Sequence, residues 1–346
     1  MTSRSASISG WIGVALMVAV LLGTPMLLLR GSQAKRPFDH RAARTLAKER
    51  PEVVLIGDSM LETRIEPRRL NELAGRRCAV LEQSGSSSAM WFLMMKNLVA
   101  ELEPPPRWVI VFFRDRQLTV PGHRTEGGYR STMETYMRDT EPLVDALVPR
   151  GRTGPDRWLE RASLAVWPMQ HGRVMWGEKV QSWALDAVAS SRDYQGIRDA
   201  TRELFDLKKL RADSGYNESG GEGQQKLDDD AHDFATAVGR SFLPSTLAVT
   251  RERGIRLLFF RVKRKPLADG SPAKESPTLP AYVRELRAYL ESAGAILVDE
   301  SRDAGVTPDF YGADDHVAPR MQRRYTEHFW PRIRPVIEAA EAGKGR

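Results

Sequence analysis

Several short, uninterrupted apolar runs constrain the fold of this chain more than any other feature. Residues 53–56 read Val-Val-Leu-Ile, and residues 108–113 read Trp-Val-Ile-Val-Phe-Phe. A strand with one face in solvent alternates apolar and polar residues, so wholly apolar runs indicate strands that are buried on both faces, as in parallel sheets. The predicted strands are 52–56, 78–81, 108–113, 255–260 and 295–298.

Helical patterns separate these strands. The predicted helices are 67–73, 89–102, 234–253, 279–292 and one or two helices within 319–340. Strands that alternate with helices predict a parallel sheet with crossover helices on both faces, which is a three-layer α/β fold. The alternation stops after the third strand, and we interpret residues of about 120–250 as a helical insertion in a domain that spans 51–340.

The N-terminus has a different character. Residues 8–29 contain no charged side chain, and a stretch of this length can cross a bilayer. We expect an uncleaved transmembrane signal anchor; a cleaved signal peptide is the alternative, because Ser32-Gln33-Ala34 has small residues where a peptidase requires them. Residues 30–50 are predicted to be a tether with a solvated helix. More basic residues follow the span than precede it, and this bias alone favours a cytoplasmic location for the rest of the chain.

Composition narrows the function classes. The 346 residues are 41% hydrophobic and 28% charged, as in ordinary globular proteins. The net charge of +7 forms no basic stripe, so nucleic-acid binding is not favoured. An anionic substrate or an anionic membrane surface explains the excess. Cys78 is the only cysteine, which excludes an intrachain disulfide and a thiolate metal cluster. We expect its thiol to be buried in a strand, and we expect neither a metal nor another cofactor.

Ser59 is the first candidate for chemistry. It stands in Gly57-Asp58-Ser59-Met60, just beyond the carboxyl end of the first predicted strand, where open parallel sheets build their sites. A serine there can be exposed, with backbone N–H groups directed at a developing oxyanion. The alternative is that Asp58-Ser59 simply caps a helix.

His316 is the candidate base for this serine. A serine hydroxyl needs a base to accept its proton, usually an imidazole that a carboxylate holds. Of the six histidines, His316 alone follows the last predicted strand in a loop that also contains carboxylates, in the order Asp314-Asp315-His316. The sequence therefore predicts a serine, an imidazole and a carboxylate at one edge of the sheet.

These features resemble the SGNH, or GDSL-like, superfamily of ester hydrolases and acyltransferases. Gly57-Asp58-Ser59-Met60 resembles its first block, which carries the nucleophile, and Gly85 falls where the family keeps an oxyanion-hole glycine. Phe112-Phe113-Arg114-Asp115 falls where the family usually has Gly-x-Asn-Asp, so Arg114 takes the place of an asparagine donor. The family's last block is usually Asp-x-x-His. The shorter Asp-x-His of the envelope relatives that acetylate alginate is similar to Asp314-Asp315-His316.

The resemblance implies a flavodoxin-like fold and a role for each of these residues. Ser59 would be the nucleophile, His316 the base and Asp314 the orienting carboxylate, with Asp315 as the alternative. Backbone N–H groups of Ser59 and Gly85 would form the oxyanion hole. Gln117 and Thr119 are candidates to replace the missing asparagine.

The resemblance also implies a function and a location. It implies a serine-dependent ester hydrolase or O-acyltransferase that acts on an acylated envelope polysaccharide or a related ester. A non-catalytic SGNH-like scaffold in an envelope polysaccharide assembly and an esterase of anionic lipids are the alternatives. Single-span envelope relatives keep this domain outside the cytoplasm. We therefore expect a bacterial inner-membrane protein with a periplasmic catalytic domain, with a membrane acyltransferase as a candidate partner.

Two arginines end predicted strands at this same edge. Arg114 follows Phe112-Phe113, and Arg261 follows Phe259-Phe260. Because guanidinium groups bind carboxylates and phosphates well, both are predicted to bind an anionic part of the substrate. The alternative is that each arginine pairs with a helix terminus or with a neighbouring acid such as Asp115.

Overall fold

Five parallel strands form the central sheet in the computed structural model, which describes residues 38–120, 125, 127–148, 233–267, 269–312 and 314–343. The strands are β1 (Val53–Gly57), β2 (Cys78–Glu82), β3 (Trp108–Phe113), β4 (Arg256–Arg261) and β5 (Ile296–Asp299). They lie in the order β2-β1-β3-β4-β5, and every neighbouring pair is parallel. The predicted parallel sheet is confirmed, with each strand within one residue of its predicted position.

Helices cover both faces of this sheet. In chain order they are α1 (His40–Glu49), α2 (Ser59–Arg64), α3 (Pro67–Ala74), α4 (Ser88–Met94), α5 (Gly127–Glu134), α6 (Pro142–Leu147), α7 (Phe234–Val238), α8 (Leu243–Glu252), α9 (Leu279–Ser292) and α10 (Gln322–Ala342). Residues of α1, α4, α8 and α9 pack on one face, and residues of α2, α3 and α10 pack on the other.

The two hydrophobic cores explain the apolar strands. Val54 and Ile56 of β1 belong to the core beneath α4 and α8, whereas Val53 and Leu55 belong to the core beneath α2 and α10. All four side chains are fully buried. Because successive residues of a strand point to opposite faces, a strand between two helix layers has no solvent-facing position. The result is the three-layer α/β architecture that the sequence predicts.

The helices depart from prediction more than the strands do. The predicted helix 234–253 is two helices, α7 and α8, and Pro244 lies in the first turn of α8, where its missing N–H is tolerated. The predicted helix 89–102 begins at Ser88 and changes to a π-helical turn at Met95–Val99. Helix α2, which begins at Ser59, is not among the predicted helices.

Residues 38–50 of the predicted tether are described, and they contain the expected helix. Helix α1 occupies the second half of the tether, and Leu46 of α1 is buried in the core beneath α4. Asp39 caps this helix by accepting hydrogen bonds from Arg41 N–H and Ala42 N–H. The predicted helix is therefore present and most of its residues are exposed, while Leu46 attaches it to the core.

The strand order places a crevice at the carboxyl edge of the sheet. The chain runs from β1 outward to β2, then returns to add β3 on the other side of β1. In open α/β sheets, ligands bind where the strand order reverses in this way, beyond the carboxyl ends of the two strands. Here those ends lead directly into Asp58-Ser59 after β1 and Arg114-Asp115 after β3.

Two sequence predictions fall largely outside the described residues. The anchor at 8–29 lies there entirely, and so does most of the insertion at 120–250, of which α5, α6, α7 and α8 are described. No helix in the described part of the chain is both long enough and apolar enough to cross a membrane.

Candidate active site

Ser59 is the first residue of α2, immediately after β1. Asp58 caps this helix, because its Oδ1 accepts a hydrogen bond from Met60 N–H at 2.8 Å. The helix begins close to the strand because residue 57 is a glycine: a Cβ there would lie 2.7 Å from Leu61 Cβ. The structure thus assigns the capping role to Asp58 and leaves the half-buried Ser59 hydroxyl for other contacts.

His316 contacts both of its expected partners. Its Nε2 lies 2.8 Å from Ser59 Oγ, although the two residues are 257 positions apart in sequence. Its Nδ1 lies 2.8 Å from Asp314 Oδ1, and the same carboxylate oxygen accepts the His316 backbone N–H at 3.0 Å. The fold therefore brings the serine, the imidazole and the carboxylate into one chain of hydrogen bonds.

The direction of these hydrogen bonds follows from the carboxylate. An ionised carboxylate only accepts hydrogen bonds, so the imidazole proton lies on Nδ1 when the ring is neutral. Nε2 then has a free lone pair and accepts the Ser59 O–H. This is the tautomer in which an imidazole can remove the proton of a serine.

The structure distinguishes the two candidate carboxylates. Asp314 contacts the imidazole, and its side chain is 61% exposed. The Asp315 side chain points elsewhere: Oδ2 accepts from Arg114 Nη1 at 2.5 Å and Oδ1 accepts from Lys265 N–H at 2.9 Å. Asp314 is therefore the residue in position to orient His316, and Asp315 holds neighbouring loops.

The two predicted oxyanion donors lie in the first turn of α2 and in the loop after β2. The N–H of Ser59 is in the first turn of α2, where N–H groups have no partner within the helix. Gly85 is buried in the loop after β2 and has a φ of 73°, a conformation that favours glycine. This loop is bound to the end of β1, because Gln83 N–H and Ser86 Oγ–H both donate to Gly57 O, at 3.2 and 3.3 Å.

The side chains considered as replacements for the missing asparagine have other partners. Gln117 Nε2 donates to Asp58 Oδ2 at 2.9 Å, and its Oε1 accepts from Arg114 N–H at 2.7 Å. Thr119 Oγ1 lies 2.6 Å from Tyr282 Oη. Gln117 therefore connects the loop after β3 to the residue that caps α2.

The two arginines that were predicted to bind substrate, Arg114 and Arg261, bind carboxylates of their own chain. Arg261 has a side chain only 5% exposed, and it pairs with Asp299 at 3.1 Å, Glu275 at 2.6 Å and Asp115 at 3.5 Å. Arg114, 12% exposed, pairs with Asp315. These contacts correspond to the alternative interpretation of the sequence, in which each arginine pairs with a neighbouring acid, and they leave Arg261 no exposed face for a substrate.

A buried arginine that the sequence analysis missed lies beneath the site. Arg64, at the end of α2, is fully buried and donates from Nη2 to Lys263 O at 3.0 Å and to Asp315 O at 3.2 Å. Arg64 therefore connects the helix that begins at Ser59 with the loop that carries His316. Arginine is rarely buried in proteins, and no local pattern in the sequence marks this one.

Aromatic and acidic groups surround Arg64. Its guanidinium carbon lies 5.7 Å from the ring centroid of Tyr311 and 5.5 Å from that of Tyr325. Tyr325 Oη donates to Glu300, which is also fully buried and whose carboxyl pKa is raised by that burial. This buried network contacts the loop that carries His316 through the hydrogen bond from Arg64 to Asp315 O. Across the described residues, no three histidine, cysteine or acidic side chains group as metal ligands would.

Comparison with known proteins adds little to this geometry. The sequence matches no protein-family model and no curated protein. Among solved structures, it is similar to a GDSL-like lipase from Bacteroides thetaiotaomicron, with a TM-score of 0.37 and 10% identity over 88% of this chain and 98% of that one. A putative acylhydrolase from Bacteroides fragilis gives a TM-score of 0.39 and 10% identity over 88% of this chain and 96% of that one. At these TM-scores the similarity carries no argument about function.

Proposed function

We propose that this protein is a serine-dependent ester hydrolase or O-acyltransferase of the SGNH type. The observation that carries the proposal is the chain of two 2.8 Å contacts from Ser59 Oγ through the His316 imidazole to Asp314. A nucleophile, a base and an orienting carboxylate within hydrogen-bond reach are the elements of nucleophilic acyl transfer. They lie at the carboxyl edge of a parallel sheet, where substrates enter such folds.

The reaction follows from these positions. Ser59 Oγ attacks the acyl carbonyl carbon while its proton passes to His316 Nε2, and the carbonyl oxygen becomes an oxyanion that accepts from the N–H groups of Ser59 and Gly85. Asp314 accepts the Nδ1–H throughout and stabilises the imidazolium. The intermediate collapses when His316 returns the proton to the departing alcohol, which leaves an acyl-serine. Water or a sugar hydroxyl then attacks this ester, with His316 again as base, and Ser59 is regenerated.

The substrate and location extend this proposal. Following the SGNH resemblance, we assign an acylated envelope polysaccharide or a related ester as substrate, a membrane acyltransferase as a candidate partner, and the bacterial inner membrane with a periplasmic domain as the location. The apolar residues 8–29 support the membrane placement. We do not extend the proposal to an anionic substrate, because Arg114 and Arg261 pair with acids of this chain.

A fluorophosphonate probe tests the chemistry directly. The full-length chain in detergent should form a covalent adduct, and peptide mass spectrometry should place it on Ser59. Ser59→Ala should not react. Ser84→Ala should react as the wild type does. This change removes an exposed hydroxyl in the loop after β2 that donates to Glu62 of α2. Reaction with p-nitrophenyl acetate, with and without an oligosaccharide acceptor, would then separate hydrolysis from transfer.

Arg114 favours one competing function. It stands where the resemblance implies an asparagine donor, and its guanidinium binds Asp315 instead. A site with fewer oxyanion donors is what a non-catalytic scaffold for an envelope polymer would show. A folded wild-type chain that never reacts with the probe, yet binds acylated polysaccharide, would establish the scaffold. A reporter fused to the C-terminus that is active only in the cytoplasm would overturn the periplasmic placement.

A further inference from the structure

The loop that carries His316 is short and partly exposed. Gly312 N–H donates to His316 O at 2.9 Å, and Tyr311 pairs with Val317 in an isolated antiparallel bridge, so the chain turns back on itself between them. The Asp314 side chain near its tip is 61% exposed. Hydrogen bonds within this turn set its shape, but they do not set its distance from Ser59, which lies at the start of α2.

Asp315 provides contacts from this turn to the rest of the site. Its carboxylate accepts from Arg114 Nη1 at 2.5 Å and from Lys265 N–H at 2.9 Å, and its backbone oxygen accepts from Arg64 Nη2 at 3.2 Å. These three donors follow β3, follow β4 and end α2, respectively. Asp315 thus joins the turn to three separate elements, one of which begins with the nucleophile.

Arg114 is the member of this set whose guanidinium binds the Asp315 carboxylate. It is the first residue after β3, its N–H donates to Gln117 Oε1, and its side chain is 12% exposed. Gln117 in turn donates to Asp58, next to the nucleophile. A charge-assisted hydrogen bond between a guanidinium and a carboxylate is short and directional, so it can fix the position of a loop.

We propose that Arg114 is a positioning residue that acts through Asp315 to hold the His316 imidazole against Ser59. The proposal rests on the proposed function, because a positioned base matters only if Ser59 reacts. It gives Arg114 a use that its place in the SGNH-like pattern does not imply: the residue in the asparagine position aligns the base and does not bind the oxyanion. It also explains why two adjacent aspartates precede His316, since one orients the ring and the other locates the turn.

The test compares variants of this pair with a matched ion pair at the other edge of the sheet. Arg114→Met, Arg114→Lys, Asp315→Asn and the double variant Arg114→Met with Asp315→Asn would be made in the full-length chain. Arg253→Met is the control, because Arg253 pairs with Glu103 at 2.5 Å and lies before β4. The measurements are the rate of fluorophosphonate reaction, kcat and KM on p-nitrophenyl acetate, melting temperature, and amide hydrogen exchange of the peptide that contains 312–318.

A misplaced base should slow the reaction without changing how the small ester binds. We expect Arg114→Met to lower the probe rate and kcat about 10- to 100-fold, as misplacement of catalytic groups does, while KM changes little. Arg114→Lys should recover part of the loss, because an ammonium can still donate to Asp315. The double variant should lose no more than the worse single variant, since the two residues act as one unit. Exchange at 312–318 should rise in Arg114→Met and stay at the wild-type level in Arg253→Met.

Distinct outcomes overturn the proposal and the function on which it rests. Wild-type probe rates in Arg114→Met, additive losses in the double variant, or equal losses in Arg253→Met would each defeat the positioning role. A wild-type chain that never reacts would defeat the proposed function and, with it, the catalytic meaning of the pair. Amide exchange decides in that case whether Arg114 holds the turn at all, because it needs no catalysis. If Arg114→Met fails to fold, Arg114→Lys and Asp315→Asn carry the same comparison.

Discussion

Two nucleophilic side chains lie at opposite edges of the sheet, one just beyond β1 and the other in the neighbouring strand β2. Ser59 follows the carboxyl end of β1, whereas Cys78 is the first residue of β2, paired with Val53 at the amino end of β1. A thiol is intrinsically the better nucleophile. Yet the imidazole lies 2.8 Å from the serine, while Cys78 Sγ–H donates to Arg76 O and burial raises the pKa of this thiol to about 12.

If Ser59 is the nucleophile, as proposed, position in the sheet outweighs intrinsic reactivity. The loops that leave the carboxyl ends of the strands meet above β1 and β3, so Asp58, Gln117, Asp315 and His316 converge there. The amino edge also contains ion pairs, such as those of Arg76 and Arg107 with Glu341, but these connect the last helix to the sheet. The same kinds of side chain form the proposed active site at one edge and structural ion pairs at the other.

The largest effect is expected when His316, the proposed general base, is replaced. His316→Gln should lower the rate of fluorophosphonate reaction about 10³-fold, because Ser59 loses the group that accepts its proton. His328→Gln is a matched control: His328 also pairs with an aspartate, Asp303, at 2.6 Å. Equal rates in the two variants would show that the imidazole at Ser59 has no special role.

A smaller loss is expected at the orienting carboxylate. Asp314→Asn should lower the same rate about 10²-fold, since an amide can donate to Nδ1 and so favour the wrong tautomer. Water at this exposed position will compensate in part, so the loss should be smaller than for His316→Gln. Asp309→Asn changes another exposed aspartate and should react normally. An unaffected Asp314→Asn would remove Asp314 from the mechanism.

A still smaller effect is expected at Gln117, which donates to Asp58 next to the proposed nucleophile. Gln117→Leu leaves the buried Asp58 carboxylate without one of its donors, so we expect a loss of about 1–3 kcal/mol in the free energy of unfolding. A shift of the first turn of α2 should lower the probe rate about tenfold. Thr119→Val also removes a buried hydrogen bond, to Tyr282, and should destabilise the fold without slowing the probe. Equal probe rates in both variants would contradict the link from Gln117 to Ser59.

The smallest effect is expected at the amino edge. Cys78→Ala should leave the probe rate unchanged. In the native chain at pH 8, iodoacetamide should alkylate Cys78 much more slowly than in the unfolded chain, because a thiol with its pKa raised to about 12 is almost wholly protonated. Rapid alkylation of native Cys78, followed by mass spectrometry, would show that the two edges differ less than the structure indicates.

Much of the sheet was predictable because burial on both faces leaves a local signature. Val53 to Ile56 and Trp108 to Phe113 must be apolar wherever they lie between two helix layers. Helix limits were less predictable, since a proline such as Pro244 can begin a helix as well as end one. Ser59 was predictable because it comes just after a strand, at the edge where parallel strands end together, and His316 because its loop follows the last strand and also contains carboxylates.

The sequence by itself determined the parallel α/β fold and the edge of the sheet at which Ser59 and His316 lie, because the strands follow from short-range apolar patterns and both residues come after strands. Only the tertiary structure decided which partner each charged side chain takes. Asp314 and Asp315 are equivalent in a sequence, but Arg114 lies 201 residues from Asp315 and Lys265 lies 50 residues away. Arg114 and Arg261, read from sequence as substrate ligands, pair with acids of the chain for the same reason. Ion pairs form between groups that folding brings together, and that proximity is absent from any local pattern.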